Sequence, residues 1–200
     1  MVRTDQIAAL RRAPQATGAA SSDFDLNPAI VLPEGRKLRP AGVLAAFKPG
    51  RDGLDLILTK RSSRLKHHPG QIAFPGGKVD PGDADEIAAA LREAHEEVAL
   101  DPAQVEVIGT LPPHETVTGF LVTPVIGLVH GDFTPVPEPG EVEEVFMVPY
   151  AHVTDPARYS VQGRRWRGQR RLYYTAPFGP YYIWGATARM LRALAGRIHA

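Results

Sequence analysis

The chain has 200 residues, 44% hydrophobic and 22% charged, a balance that suits one soluble globular domain with a real core. Its 23 Lys+Arg and 22 Asp+Glu leave a net charge of +1, which names no partner, and the absence of cysteine excludes a disulfide scaffold, a thiolate metal site and a cysteine nucleophile. The distribution says more: nine arginines and no acid follow Asp155, so residues 1–155 carry a net −8.

In chain order, the N-terminus MVRTDQIAALRRAPQ is interrupted by Asp5, Gln6 and two arginines, so it is no secretion signal, and a short helix is expected over 3–12. Residues 13–40, rich in Ala, Ser, Pro and Gly without periodicity, complete a loose and partly disordered N-terminal arm (1–40), with the compact domain over 41–200. AGVLAAF (41–47) and LDLILTK (54–60) read as a hairpin closed by the turn PGRDG. A polar stretch, RSSRLKHHPG, then precedes the brief apolar QIAF and the loop PGGKVDPGD. Residues 84–98 carry Ile87, Leu91, Ala94 and Val98 at spacings of four, three and four, one face of a helix with Asp83 as its expected N-cap. Strands are expected at 105–111, 120–129 and 142–148, two more at 158–168 and 170–176, and a closing helix over 186–198, with Tyr182 and Trp184 in the core. The most apolar run, 120–129, is ten residues with a proline inside, too short to span a bilayer, so the chain is read as soluble and cytoplasmic. Several strands with one internal and one terminal helix argue for an α/β or α+β sandwich.

Opposite the apolar face of the internal helix lie Glu93, Glu96 and Glu97, with Glu86 about two turns earlier. Like charges at i and i+4 repel by some ~0.2–0.5 kcal/mol per pair, which a solvated face tolerates, and Arg92–Glu96 reads equally as an ordinary i,i+4 ion pair. The preceding Phe74-Pro75-Gly76-Gly77-Lys78 points elsewhere. A double glycine lets backbone approach a ligand closely, and carboxylates beside it suit a hard divalent cation that also touches phosphate.

GGKVDPGDADEIAAALREAHEEVAL resembles the signature box of the Nudix hydrolases, with Gly77, Asp83, Arg92, Glu93, Ala94, Glu96, Glu97 and Leu100 in its slots. Asp83 stands where Glu is usual, eight residues rather than seven separate it from Arg92, and Ala99 replaces a helix-ending glycine, straining the C-cap by about 1 kcal/mol. Upstream, ILTKRSSRLKHHPGQIAFPGG resembles the extra signature of the coenzyme A pyrophosphatase group through Thr59, Arg61, Ser62, Gly70 and Phe74 to Gly77, with Lys66 where arginine is usual. The one-residue insertion in the box is typical of that group. TGFLVTPVIG, EVEEVFMVP and IWGATARML extend the likeness over about residues 41–191.

The resemblance implies an α/β fold, a Nudix-type α/β/α sandwich around a mixed central sheet. It also implies metal-dependent hydrolysis of the diphosphate of coenzyme A or acyl-coenzyme A to 4′-phosphopantetheine and adenosine 3′,5′-bisphosphate. Mg²⁺ or Mn²⁺ would sit on Glu93 and Glu97, with Glu96 completing the shell directly or through water. Arg92 would orient a glutamate or, less in keeping with its neighbours, bind substrate. A base or extra ligand is expected from Glu141, Glu143 or Glu144, the family match favouring Glu141 or Glu144.

Arg61 and Lys66 are candidates for the substrate phosphates or for salt bridges to the helix, Gly76 and Gly77 are expected to line the substrate, and His67 and His68 read as loop residues. RRWRGQRR, around Trp166, offers a grip for a 3′-phosphate and a surface for adenine, or merely a basic edge that resists aggregation. The implied partner is a small molecule of the coenzyme A type, with no membrane and no nucleic acid, and a homodimer stays open. Two other readings compete: a Nudix hydrolase of ADP-ribose, a dinucleotide or a capped RNA end, which the box alone permits, and a non-catalytic nucleotide- or RNA-binding protein, which predicts loss of carboxylates that are present.

Overall fold

The computed structural model describes residues 2–166 and 168–199, with Val2 and Trp166 described by backbone alone. Helix α1 (Val2–Arg12) runs through a 3-10 turn to the short strand β1 (Ser21–Ser22). Strands β2 (Arg39–Pro49) and β3 (Leu54–Arg61) form the expected hairpin, closed by the Gly50 N–H on the Gly53 carbonyl at 2.8 Å. Short β4 (Ile72–Ala73) and β5 (Gly76–Lys78) precede helix α2 (Glu86–Val98). Then come β6 (Val105–Thr110), β7 (His114–Glu115), β8 (Phe120–Val129), β9 (Val142–Pro149) and the single turn α3 (Tyr150–Val153). Strands β10 (Ser160–Trp166) and β11 (Gln169–Thr175) and helix α4 (Gly185–Ile198) complete the chain.

Among the described residues, nine strands share one mixed sheet in the order β1-β7-β8-β2-β3-β4, with β5 also on β2, β6 on β8 and β9 on β3. The β2–β8 and β1–β7 pairs are parallel and the others antiparallel. The central strands are near-continuous apolar runs because both faces of the sheet are covered. Alternate residues serve opposite layers. Leu44, Ala46 and Ile57 cluster with Ala90, Ala94 and Val98 of α2, whereas Phe47, Leu56 and Leu58 cluster with Leu10 of α1 and Leu191 and Leu194 of α4. The result is the expected α/β/α sandwich. Gly42 sets how closely α2 lies on β2, since a Cβ there would fall 1.8 Å from the Glu86 carbonyl oxygen.

Several local expectations need correction. Asp85, not Asp83, caps α2, its side chain accepting the Ala88 N–H at 2.8 Å. Asp83 is held back in a turn with Asp80 and binds Arg92 instead. At the other end Ala99 takes the left-handed conformation, φ 59°, with its N–H on the Ala94 and His95 carbonyls, so it occupies the cap position where a glycine would be unstrained. Tyr182 is 46% exposed and Trp184 only half-buried, while Ile183 between them is fully buried. The extended backbone alternates faces there, and the aliphatic residue takes the inner one.

Part of the segment before Ala41, expected as a loose arm, is laid against the sheet, whereas residues 28–38 are largely exposed and without regular structure. Leu10 and Ala13 are fully buried, and β1 extends the sheet along β7. Both ring nitrogens of the fully buried His114 are hydrogen-bonded from this segment, Nδ1 to Ser21 Oγ at 2.9 Å and Nε2 to Asp23 Oδ1 at 3.1 Å. The basic run forms the β10–β11 hairpin, where Arg164 stands opposite Arg171 and Arg165 opposite Arg170, like charges at a spacing that destabilises a hairpin. Arg167 and the Trp166 side chain lie outside the described residues. Among the described residues no helix is long and apolar enough to cross a membrane.

Candidate active site

Glu93 and Glu97 lie one turn apart on α2 and point toward the glycine turn that leads into β5. The Gly76 N–H donates to Glu97 Oε2 at 3.1 Å. At Gly77 a Cβ would sit 2.3 Å from Glu93 Oε1, so any other residue would push that carboxylate from its place. The two glycines expected to line the substrate thus shape the carboxylates.

Glu141 enters from the segment leading into β9. Its carbonyl accepts the Ser62 N–H at 2.8 Å, which ties this segment to the end of β3. One carboxylate oxygen from each of Glu93, Glu97 and Glu141 falls within 4.8 Å of the others. Glu143 and Glu144 are engaged elsewhere, Glu143 with Lys60 at 2.7 Å and Glu144 with the Tyr181 hydroxyl at 2.5 Å, which leaves Glu141 as the member of the acidic run that reaches the cluster.

A register shift between Lys60 and Arg61 interrupts the β3–β9 ladder, the kind of irregularity that re-aims a side chain beside a site. Arg61 Nη1 comes to 3.8 Å from Glu97 Oε1. Lys66, His67 and His68 are exposed loop residues, the histidines as expected, and Lys66 has no ion pair with the helix among the described residues.

Arg92 is spent on protein groups. Its Nε and Nη2 donate to the two Asp83 oxygens at 2.9 and 2.8 Å, Nη2 also to the Lys78 carbonyl at 3.3 Å, and Nη1 lies 3.2 Å from Glu93 and 3.0 Å from Glu96. This fork holds the Asp83 carboxyl down at about 2 and fixes Glu93 by its flank, the orienting arrangement rather than a substrate contact. Glu96 is thereby turned outward, with 56% of its side chain exposed, and stands outside the three-carboxylate group, which leaves the water-mediated form of its expected role. At i+3 from Glu93 its direction departs from that of Glu97, and the salt bridge with Arg92 keeps it there.

The electrostatics follow from burial. Glu97 is 3% exposed, and its carboxyl is pushed up to about 7, first by loss of water, with the Gly76 N–H and Arg61 opposing and Glu93 and Glu141 adding repulsion. Burial raises Glu93 as well, against the pull of Arg92. Three converging carboxylates, flanked by Arg61 at 3.8 Å from Glu97 and by Arg92 at 3.2 Å from Glu93, the latter shared with Asp83 and Glu96, form an all-oxygen donor set short of positive charge. That chemistry fits a hard divalent cation.

A carboxylate cluster of this kind, on a helix that abuts a glycine turn in an α/β/α sandwich, has the make-up of a site for divalent-metal chemistry on a phosphate ester or anhydride. The NUDIX domain family model matches residues 37–167, and the chain belongs to this family, metal-dependent hydrolases acting on phosphoric anhydrides. It is 47% identical over 148 residues to the uncharacterized Nudix hydrolase NudL of Enterobacter sp. (strain 638), covering 74% of this chain and 77% of that one. The NudL of Citrobacter koseri is 42% identical over 170 residues, 85% and 81% of the two chains. Among solved structures, a MutT/nudix family protein from Enterococcus faecalis shares the fold with a TM-score of 0.52 at 16% identity, over 86% of this chain and 66% of that one.

Proposed function

We propose that this chain cleaves the diphosphate of coenzyme A or acyl-coenzyme A, releasing 4′-phosphopantetheine and adenosine 3′,5′-bisphosphate. The observation that carries the reading is where the segment 59–77 lies. The stretch that resembles the coenzyme A pyrophosphatase signature ends in Gly76 and Gly77 against Glu97 and Glu93, and it delivers Arg61 to 3.8 Å from Glu97. The same segment that names the substrate group thus frames the reacting centre. Residues 41–200 are taken as the hydrolase domain and 1–40 as an arm upon it.

Glu93 and Glu97 would hold the cation, Mg²⁺ or Mn²⁺, with Glu96 contributing through water from the rim. When bound, the cation supplies charge neutralisation on the diphosphate and acidifies water. Arg61, with 28% of its side chain exposed, offers its guanidinium to the phosphate oxygens beside Glu97. Glu141, the exposed member of the trio, faces the helix carboxylates across the cluster and accepts the proton of the attacking water. Arg92 and Gly77 keep Glu93 in place throughout.

Mass spectrometry of products from coenzyme A, acetyl-coenzyme A, ADP-ribose and a dinucleoside polyphosphate, each with Mg²⁺ or Mn²⁺, tests the assignment. Coenzyme A and its thioester should give the two named products at the highest kcat/KM. Efficient cleavage of ADP-ribose or the dinucleotide with both coenzyme A species untouched would overturn it.

A further inference from the structure

The extended segment before α4 alternates between two faces. Tyr181 stacks on Phe146 with ring centroids 3.6 Å apart at 8°, and Ile183 is fully buried, so Tyr182 and Trp184 share the outer face. There they meet the hairpin. Tyr173 of β11 lies edge-on to Trp184 at 5.1 Å and pairs hydroxyls with Tyr182 at 3.4 Å, and Arg164 of β10 lays its guanidinium over the Trp184 ring, 4.9 Å from the centroid. Arg164 is itself exposed, and among the described residues no carboxylate pairs with it. Its cross-strand neighbour is Arg171, the next pair is Arg165 with Arg170, and the chain holds no acid after Asp155.

This surface adjoins the proposed reacting centre. Tyr181 donates its hydroxyl to Glu144, three residues past Glu141. On the other side of the aromatic pair, Gly185 faces Gln71, with its Cβ direction 3.9 Å from Nε2, and the Gln71 carbonyl accepts the Arg61 N–H at 3.0 Å. The residues flanking Tyr182 and Trp184 therefore touch the two segments that supply Arg61 and Glu141.

We infer that the Arg164–Trp184–Tyr182 surface is a nucleobase platform for the phosphorylated nucleoside half of the substrate. The inference rests on the coenzyme A reading for the identity of that half, a purine nucleoside bisphosphate. A planar base stacks on the outer face of a guanidinium as it does on an aromatic ring, and Arg164 presents that face while its inner one is held by Trp184. The exposed guanidiniums of Arg165 and Arg170 on the same hairpin offer charge-assisted contacts to a phosphate monoester that lies beside the base.

Calorimetric titration of the metal-free protein with adenosine 3′,5′-bisphosphate tests this, with ribose 5-phosphate and inorganic phosphate as probes lacking the base. Arg164→Gln and Tyr182→Ala alter exposed side chains, and their melting temperatures report that the fold is kept. Each variant should bind the bisphosphate roughly tenfold or more weakly than wild type, and each should raise the KM for coenzyme A by a similar factor. Tyr182→Ala should leave the weak binding of ribose 5-phosphate where it was. Wild-type affinity in both variants, or no bisphosphate binding by the wild type, would overturn the platform even if coenzyme A is hydrolysed. If coenzyme A is not cleaved but both variants still lose the bisphosphate, the platform stands and the substrate reading falls.

Discussion

Replacing Glu97 with Gln should make the metal-free protein more stable while it removes turnover. The carboxyl of Glu97 titrates at about 7 in the folded chain against an ordinary 4.5, chiefly because it is buried. A raised acid holds its proton more tightly folded than unfolded, so its destabilising effect is absent below about 4.5, grows with rising pH and is complete above about 7. Integrated between those values, ionised Glu97 costs about 3 kcal/mol at pH 8 and about 1 kcal/mol at pH 5. Gln keeps an oxygen for the Gly76 N–H and carries no charge. Scanning calorimetry in a chelator should therefore place Glu97→Gln roughly 6–12 °C above wild type at pH 8 and much nearer to it at pH 5. Burial raises Glu93 in the same direction, so some pH slope should survive in the variant. Superimposable melts at pH 8, or a gap that is widest at pH 5, would refute the reasoning.

Glu93→Gln and Glu141→Gln should each lower kcat/KM more than about a hundredfold with the fold kept, and near-normal turnover in excess Mg²⁺ would remove either from the centre. Millimolar Mg²⁺ or Mn²⁺ should raise the melting temperature of the wild type by mass action, worth about 2.7 kcal/mol at a hundred times Kd. The Glu93/Glu97/Glu141 triple Gln variant should show no such shift, and an equal shift there would place the cation elsewhere. Gly77→Ala should blunt that metal response and turnover together, because its Cβ must displace Glu93. A wild-type response would mean the carboxylate can step aside without consequence.

The strands and the internal helix were legible because their apolar periodicity reflects which face is covered, and that pattern is local. The helix acids were legible for the same reason, since a spacing of four residues fixes a shared face whatever the remainder of the chain does. What local pattern leaves open is choice among equivalents. Asp83 and Asp85 are both placed to cap a helix, and only the Arg92 fork, nine residues on, decides between them. Glu141, Glu143 and Glu144 look alike until Lys60 and Tyr181 claim two of them. Tyr182 and Trp184 have the composition of a core, yet Ile183 takes the inner position because alternation allows only one parity inside. The contacts of Ser21 and Asp23 with His114, more than ninety residues away, leave no trace in local composition.

Those contacts draw a boundary of their own. The family model's match begins at residue 37, yet the imidazole of His114, inside it, has both nitrogens satisfied by residues outside it. The amides of Ser21 and Asp23 bond the carbonyls of Pro113 and Glu115, and the Val117 amide bonds Asp23 in return. Peeling this stretch away would strand a buried ring and a run of backbone groups at once, so it opens with the rest of the sheet and not as a fraying end. Protection against hydrogen exchange should thus reappear at the amides of Ser21 and Asp23, outside the matched residues, at the level of the β7–β8 pair they join. What ancestry recognises as the domain and what unfolds as one cooperative body are different lengths of the same chain.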